Sequence, residues 1–119
     1  MRSKLAALAF AVFTLLAAQA LPAQASVLIR AGGNSSCNRF RPAAVSISKG
    51  TKVVWKATCG EHTVTAYSKN WSKNVTILQG QTTSRIFRSK GVFKFYCKFH
   101  GHVSGGVCSG MCGKITVGA

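Results

Sequence analysis

The segment from residue 92 to residue 98 alternates between two kinds of side chain, and this alternation limits the folds open to the chain. One set of alternate positions is Phe93, Phe95 and Cys97, and the other is Lys94, Tyr96 and Lys98. Side chains point to opposite faces of a β-strand with a period of two, whereas a helix repeats every 3.6 residues. We therefore predict a half-buried strand that carries Cys97 on its core face.

Other short apolar or alternating segments are separated by turn residues. They are 27–29, 45–47, 53–55, 63–67, 82–88 and 115–117. Glycine and polar residues lie between them, as at Gly50, which is typical of tight turns. Short strands at this spacing predict an all-β protein, a sandwich or barrel of about seven strands.

The first 25 residues have the composition of a secretory signal peptide. Arg2 and Lys4 precede an apolar run over residues 5–18, and the small residues Ala23 and Ala25 mark a cleavage site. The run is shorter than the roughly 20 apolar residues that a membrane anchor needs. We predict a signal peptide over residues 1–25 and one exported domain over residues 26–119, periplasmic or extracellular. Cleavage after Ala20 and an uncleaved anchor are the alternatives.

Basic residues greatly outnumber acidic ones. Sixteen lysines and arginines face one acidic residue, Glu61, so the formal net charge is +15. Such a charge favours anionic partners, including acidic protein faces, anionic membrane surfaces and nucleic acid. Because the basic residues are scattered over residues 30–114 and form no tail or stripe, we expect no specific nucleic-acid binding. A basic surface suited to its compartment is the alternative, and we expect a monomer.

The residues around Cys97 include every ligand type of one kind of metal centre. His100 lies three residues after Cys97, Met111 lies further along, and His62 lies upstream beside its own predicted strand. Two imidazoles, one thiolate and a weak thioether form the ligand set of blue-copper electron-transfer sites. The chain has five cysteines, an odd number, and a metal ligand accounts for the one that is left over.

Residues 26–119 resemble the small blue-copper proteins, the cupredoxins, and most closely their plastocyanin-like branch. The matching segments, in order, are Phe40-Arg41-Pro42, Gly50–Trp55, His62-Thr63-Val64, Gly91–Gly101 and Gly110–Val117. The resemblance implies a Greek-key β-sandwich or barrel of seven or eight strands. It also implies one copper per chain, cycling between Cu(I) and Cu(II), and one-electron transfer without enzymatic activity. The ligands implied are His62, Cys97, His100 and Met111.

The chain departs from the family pattern in its ligand loop. Ten residues separate His100 from Met111, which is longer than the plastocyanin-like pattern. The run from Cys97 to His102 also resembles the Cys-x-Phe-x-Gly-His run of azurins and phytocyanins, in which His102 would replace His100. We favour His100 and keep His102 as the alternative. Water or a backbone oxygen would replace Met111 if the long loop swings away.

Four cysteines are implied to lie near the copper end of such a fold, as disulfides. They are Cys37, Cys59, Cys108 and Cys112. Four cysteines allow three pairings. We favour a bridge from Cys59 to Cys108 or Cys112, which would tie the lengthened loop to the scaffold.

Tyr96 is the residue that the resemblance assigns to partner docking. In the plastocyanin-like branch the corresponding tyrosine lies at a remote surface patch. Lys94 and Lys98 flank Tyr96 here, so we expect an acidic redox protein as electron donor or acceptor. A packed strand tyrosine is the alternative role for Tyr96.

Three other functions are compatible with parts of the pattern. Cys97, His100, Cys108 and Cys112 superficially form a Cys₃His zinc set, which would make the chain a zinc-stabilised basic binding domain. That set leaves His62 and Met111 without a role. A basic, disulfide-linked protein that acts by charge alone leaves one thiol unexplained. A copper carrier or storage protein would keep the copper site and change its purpose.

Overall fold

The computed structural model describes residues 7–15, 23–33 and 35–118. Outside the described residues lie Arg2 and Lys4, the basic residues of the predicted leader, and Ala20, the alternative cleavage position. Residues 7–15 and 23–25 form neither helix nor strand. Within the described ranges, no helix has the length and apolar character needed to cross a membrane.

Nine strands follow one another over the described part of the chain. They are β1 (Ser26–Ala31), β2 (Phe40–Arg41), β3 (Ala44–Ser48), β4 (Thr51–Ala57), β5 (His62–Ala66), β6 (Asn74–Ile77), β7 (Thr82–Phe87), β8 (Gly91–Ser104) and β9 (Val107–Gly118). The sequence pattern missed β2, which has only two residues, and β6, which has three exposed residues and one buried residue.

The strands form two sheets that pack face to face. One sheet has the order β2-β1-β4-β7 and the other has the order β3-β9-β8-β5-β6. The first, which we call sheet A, combines a parallel β1–β4 pair with antiparallel pairs. The second, sheet B, contains the parallel β3–β9 pair and the antiparallel β8–β9 pair. The all-β sandwich predicted from the sequence is therefore confirmed.

Alternation along the strands produces an aromatic core between the sheets. Trp55 is fully buried on β4, with its ring centroid 5.4 Å from that of Phe95 and 6.3 Å from that of Trp71. Phe95 also packs edge-on against Phe40 at 4.8 Å. Large aromatic side chains contribute most of the apolar area in such a core. This core holds the strand that leads directly to Cys97.

The residues between His100 and Met111 form a β-hairpin. Strand β8 continues to Ser104, β9 begins at Val107, and these two residues pair across a two-residue turn. Gly105 and Gly106 occupy the turn with φ angles of 56° and 76°. Two positive φ angles define the type I′ turn, which matches the twist of a hairpin and favours glycine. Eight of the ten residues expected as a lengthened loop are therefore paired in the ladder, and the other two form its turn.

Gly113 lets β9 cross closely over the core. A Cβ atom at this position would overlap the Phe95 ring. Gly118, on the same strand, would place its Cβ atom 4.0 Å from the nearest neighbouring atom, the Ile47 carbonyl oxygen. Glycine is therefore needed at one position of β9 for packing and is not needed for packing at the other.

We expect Gly113→Ala to lower the free energy of unfolding by about 1 to 3 kcal/mol, because the added methyl overpacks the core against Phe95. Gly118→Ala is the matched control and should change it by no more than about 0.5 kcal/mol. Urea denaturation of both variants measures the difference. Equal stability of the two would contradict the close packing of β9 on Phe95.

Candidate metal centre

A shift in the pairing of β8 and β9 creates the candidate site. Tyr96 pairs with Cys112 and Gly101 pairs with Gly110, with the register shift between them. Four residues of β8, 97–100, therefore lie opposite the single residue Met111. An extra residue in one strand makes a bulge that bends it and redirects its side chains, and three extra residues enlarge this effect.

Two glycines allow the strands to stay close at the bulge. A Cβ atom at Gly101 would lie 2.8 Å from the Met111 carbonyl oxygen, and one at Gly110 would lie 2.5 Å from the His100 carbonyl oxygen. Gly110 also has a φ of 81°, which favours glycine. No other residue type fits at either position without moving the backbone.

Three of the predicted ligand residues meet at this bulge. The possible ligand atoms of His62, Cys97 and His100 all lie within 4.8 Å of one another. The Cys97 sulfur lies 3.8 Å from His62 Nδ1 and 3.6 Å from His100 Nδ1. His62 and Cys97 are fully buried, whereas His100 is exposed. The arrangement offers one thiol and two imidazole nitrogens to one point at the rim of the core.

Met111 and His102 have different relations to this cluster. Met111 is fully buried, directly opposite the bulge and near His62. His102 is exposed on the hairpin, pairs with Ser109 and is not a member of the cluster. The structure thus brings His100, the imidazole that we favoured, to the thiol.

Two hydrogen bonds between β5 and β8 hold the Cys97 thiol and the bulge in place. The Thr63 backbone N–H donates to the Cys97 sulfur at 3.3 Å, and the Lys98 backbone N–H donates to Thr63 Oγ1 at 2.8 Å. Thr65 Oγ1 donates onward to Thr63 Oγ1 at 3.0 Å. A hydrogen bond to sulfur stabilises a thiolate. The sequence pattern does not identify Thr63 as a site residue. The one signal that could have done so is its position directly after His62.

The His62 ring is oriented by the turn that precedes it. Its Nε2 lies 2.5 Å from the Cys59 carbonyl oxygen, which can only accept, so Nε2 carries the proton and Nδ1 is left free. Burial lowers the pKa of His62 below its usual 6.5; the Cys59 hydrogen bond opposes this shift, and the charge of His100 adds to it. A neutral ring with a free Nδ1 is the form that binds a metal.

The disulfides differ from the pairing that we favoured. Cys37 is bonded to Cys59 and Cys108 is bonded to Cys112, so the predicted bridge from Cys59 to the hairpin is wrong. The Cα atoms of Cys108 and Cys112 lie 6.1 Å apart, because the left-handed Gly110 turns the chain back between them. Cys97 is the free cysteine, and the Cys₃His zinc set lacks two of its thiols.

The predicted docking residues lie on the outer face of sheet B. Tyr96 is half-buried, and its ring packs edge-on against Tyr67 with centroids 5.7 Å apart. Burial raises the pKa of Tyr67 above 10.0. Lys98 is exposed and Lys94 is half-buried beside them. The sequence pattern missed Tyr67, because its contact with Tyr96 depends on how β5 and β8 pair.

Comparisons with known proteins give a family and a fold. The profile of copper-binding proteins of the plastocyanin/azurin family matches residues 25–118. No sequence among the curated proteins matches the chain. The three similar solved structures described below share 17%, 23% and 20% identity with it, so they show the fold alone.

Three of these structures illustrate the similarity. A reduced amicyanin variant has 17% identity and a TM-score of 0.62, over 78% of this chain and 82% of that one. A purple cupredoxin from Nitrosopumilus maritimus has 23% identity and a TM-score of 0.57, over 80% and 100%. Pseudoazurin from Methylobacterium extorquens has 20% identity and a TM-score of 0.57, over 78% and 75%.

In the metal-free protein we expect His62 to carry its proton on Nε2 and to take up a second proton only below pH 6.5. The unfolded chain then binds this proton first as the pH falls, so His62 makes the fold less stable below about pH 6.5. Long-range ¹H–¹⁵N NMR of the histidine rings measures both properties, and a His102→Gln variant helps to assign the signals. A proton on Nδ1, or a midpoint at or above 6.5, would contradict this orientation.

Proposed function

The chain belongs to the copper-binding proteins of the plastocyanin/azurin family, and on this premise we propose that it is an exported one-electron carrier. Membership confirms the resemblance found in the sequence, with copper as the cofactor. The ligand residues, the point where electrons enter or leave, the partner and the export are parts of this proposal.

One observation carries the proposal: a single free and fully buried thiol lies within 3.8 Å of two imidazole Nδ1 atoms. A buried thiol without a disulfide partner is unusual in an oxidising compartment unless a metal uses it. Thiolate suits Cu(I), and imidazole suits both oxidation states. We assign His62 Nδ1, Cys97 Sγ and His100 Nδ1 as the atoms that would hold copper, with the Met111 sulfur as a weaker fourth donor.

The donor set fits copper because hydrogen bonds from the protein hold its residues in place. The Cys97 sulfur accepts from the Thr63 backbone, and the His62 ring is fixed by the Cys59 carbonyl. Bound copper would supply one-electron chemistry between Cu(I) and Cu(II). Ligands that do not move between the two oxidation states require little reorganisation, which favours fast electron transfer and disfavours release of the metal.

Exposure of His100 indicates where electrons would enter or leave. His62, Cys97 and Met111 are fully buried, whereas His100 is exposed and adjacent to Phe99, which is 55% exposed. An imidazole at the surface brings a redox partner within contact of a ligand. We assign no substrate chemistry to the site, because no acidic side chain belongs to the cluster.

The basic side chains around Tyr96 support an acidic redox protein as partner. Lys98 is exposed, Lys94 and Tyr96 are half-buried, and Tyr67 packs against Tyr96 on the same face. Complementary charge mainly speeds association and selects partners. The peptide bond between Tyr96 and Cys97 links this face to the proposed thiolate ligand.

The proposal that the protein is exported rests on its amino-terminal residues. The described residues 7–15 include five strongly exposed apolar side chains, and all strands in the described part of the chain lie after residue 25. This division supports removal of a leader at Ala25. Intact-mass analysis of the protein from its host checks the cleavage; a mature form that retains residues 1–25 would contradict it.

Loading with Cu(II) should produce an intense thiolate-to-copper absorption band and a narrow hyperfine splitting in the electron paramagnetic resonance spectrum. Cys97→Ser should abolish the band, and His100→Ala should change both spectra, whereas His102→Ala should leave them unchanged. Voltammetry should show reversible cycling with the copper retained. A colourless or zinc-selective protein would contradict the proposal, and loss of copper on reduction would favour a copper carrier.

Replacing Lys94 and Lys98 with glutamine should slow association with an acidic redox protein at low salt, because it removes charge from the proposed docking face. The reduction potential should also fall, since positive charge stabilises the more electron-rich site. Both effects should shrink as the salt concentration rises. The double variant Lys49→Gln/Lys90→Gln, with the same charge change in two turns at the other end of the sandwich, is the control. Equal rates for the two variants would contradict docking at Tyr96.

A further inference from the structure

The outer face of sheet A carries a row of basic side chains in register. Arg30 on β1 lies directly between Arg41 on β2 and Lys56 on β4. All three are exposed, and alternate residues of the same strands, such as Ile29 and Trp55, are buried in the core. Neighbouring strands lie about 4.8 Å apart, so three cations stand side by side. We call these three residues, with Lys52 on β4, the basic face.

The basic face is not neutralised by the chain itself. Glu61 is the only acidic residue in the sequence, and one carboxylate cannot balance four cations. Arg41 Nη2 donates to Ser35 Oγ at 3.3 Å, which is a neutral partner. Like charges directly opposite one another on a sheet destabilise it. An anionic surface that covers the row would remove this repulsion.

An apolar row crosses the basic face between its cations. Leu28 pairs with Val54, and each lies two residues before the basic residue of its strand, Arg30 or Lys56, so all four side chains share the outer face. Leu28 is 41% exposed and Val54 is half-buried. On the other side of this row, Lys52 pairs with Ile86 on β7. The face thus combines four cations with one exposed and one half-buried aliphatic side chain at its centre.

The combination of cations and aliphatic side chains indicates which anionic ligand fits the basic face: nucleic acid, an acidic protein or a lipid bilayer. The outward positions of the four strands carry no aromatic side chain, so they offer no stacking platform for nucleic-acid bases. A redox partner would dock on sheet B instead, because that sheet carries His100 and Tyr96. An anionic bilayer provides headgroup phosphates for the cations and acyl chains for the aliphatic row.

We propose that the basic face docks onto the anionic surface of a lipid bilayer. Sheet B packs behind sheet A, so its outer face, with Tyr96, then points away from the bilayer. The protein is thereby held at a membrane and still presents its electron-transfer side to a soluble partner. The inference does not depend on the copper site, because the basic face is formed without any of the proposed ligands.

Vesicle partitioning of charge-matched variants tests the proposal. The full chain, Arg30→Gln/Arg41→Gln/Lys56→Gln and the control Lys69→Gln/Lys90→Gln/Lys114→Gln are sedimented with vesicles of equal parts phosphatidylglycerol and phosphatidylcholine, and with pure phosphatidylcholine. The controls are exposed lysines outside the basic face. The apolar residues 7–15 are the same in every variant, so their contribution cancels in the ratio of two variants' partition coefficients for the anionic vesicles.

Each basic residue near an anionic membrane contributes about fivefold to partitioning, so the basic-face triple variant should bind about a hundredfold more weakly. The control triple variant should change binding only a few-fold. Equal loss in both would show that net charge alone acts and would overturn the proposal. Circular dichroism confirms that each variant is folded.

A second variant separates a bilayer from a soluble polyanion. Leu28→Ser should weaken binding to the anionic vesicles and leave binding to soluble inorganic polyphosphate unchanged. If Leu28→Ser has no effect on vesicles and the basic-face variant loses polyphosphate binding to the same extent as vesicle binding, the occupant is a soluble polyanion. That outcome would overturn docking on a membrane.

Discussion

The shift in register between β8 and β9 is the constraint on which the candidate site depends. Four residues of one strand lie opposite Met111, and regular pairing resumes on both sides. The bulge cannot slide along the hairpin, because Gly101 and Gly110 permit the close backbone approach only at their own positions. Cys97 and His100 therefore leave the ladder together and face the same point.

Strand β5 and the turn before it preorganise this point. The Thr63 backbone donates to the Cys97 sulfur, and the Cys59 carbonyl fixes the His62 ring. Cys59 is itself bonded to Cys37, so the turn that orients His62 is tied to the segment before β2. Such supporting contacts set ring orientation and ligand basicity in metal sites. A site held in this way suits a carrier of electrons better than a carrier of copper.

The charge of the chain has different consequences on the two sheets. On sheet B, Lys94 and Lys98 flank an aromatic pair beside the thiol and suit an acidic protein. On sheet A, Arg30 and its neighbours form a continuous row with an apolar strip beside it. Both faces are basic, but the apolar strip and the distance from the proposed electron-transfer side distinguish their proposed partners. A net charge alone does not make that distinction.

The sequence by itself determined the sandwich class and which residues have the chemistry of a copper site, because strand periodicity and residue type are local properties. It also predicted that one cysteine stays free, and the structure identifies Cys97 as free. Only the tertiary structure decided the disulfide pairing, which had been predicted wrongly at Cys59, and the hairpin between His100 and Met111. These features, like the alignment of Arg30 with Arg41 and Lys56, depend on which strands become neighbours and in what register, and hydrogen bonds between residues distant in sequence determine both.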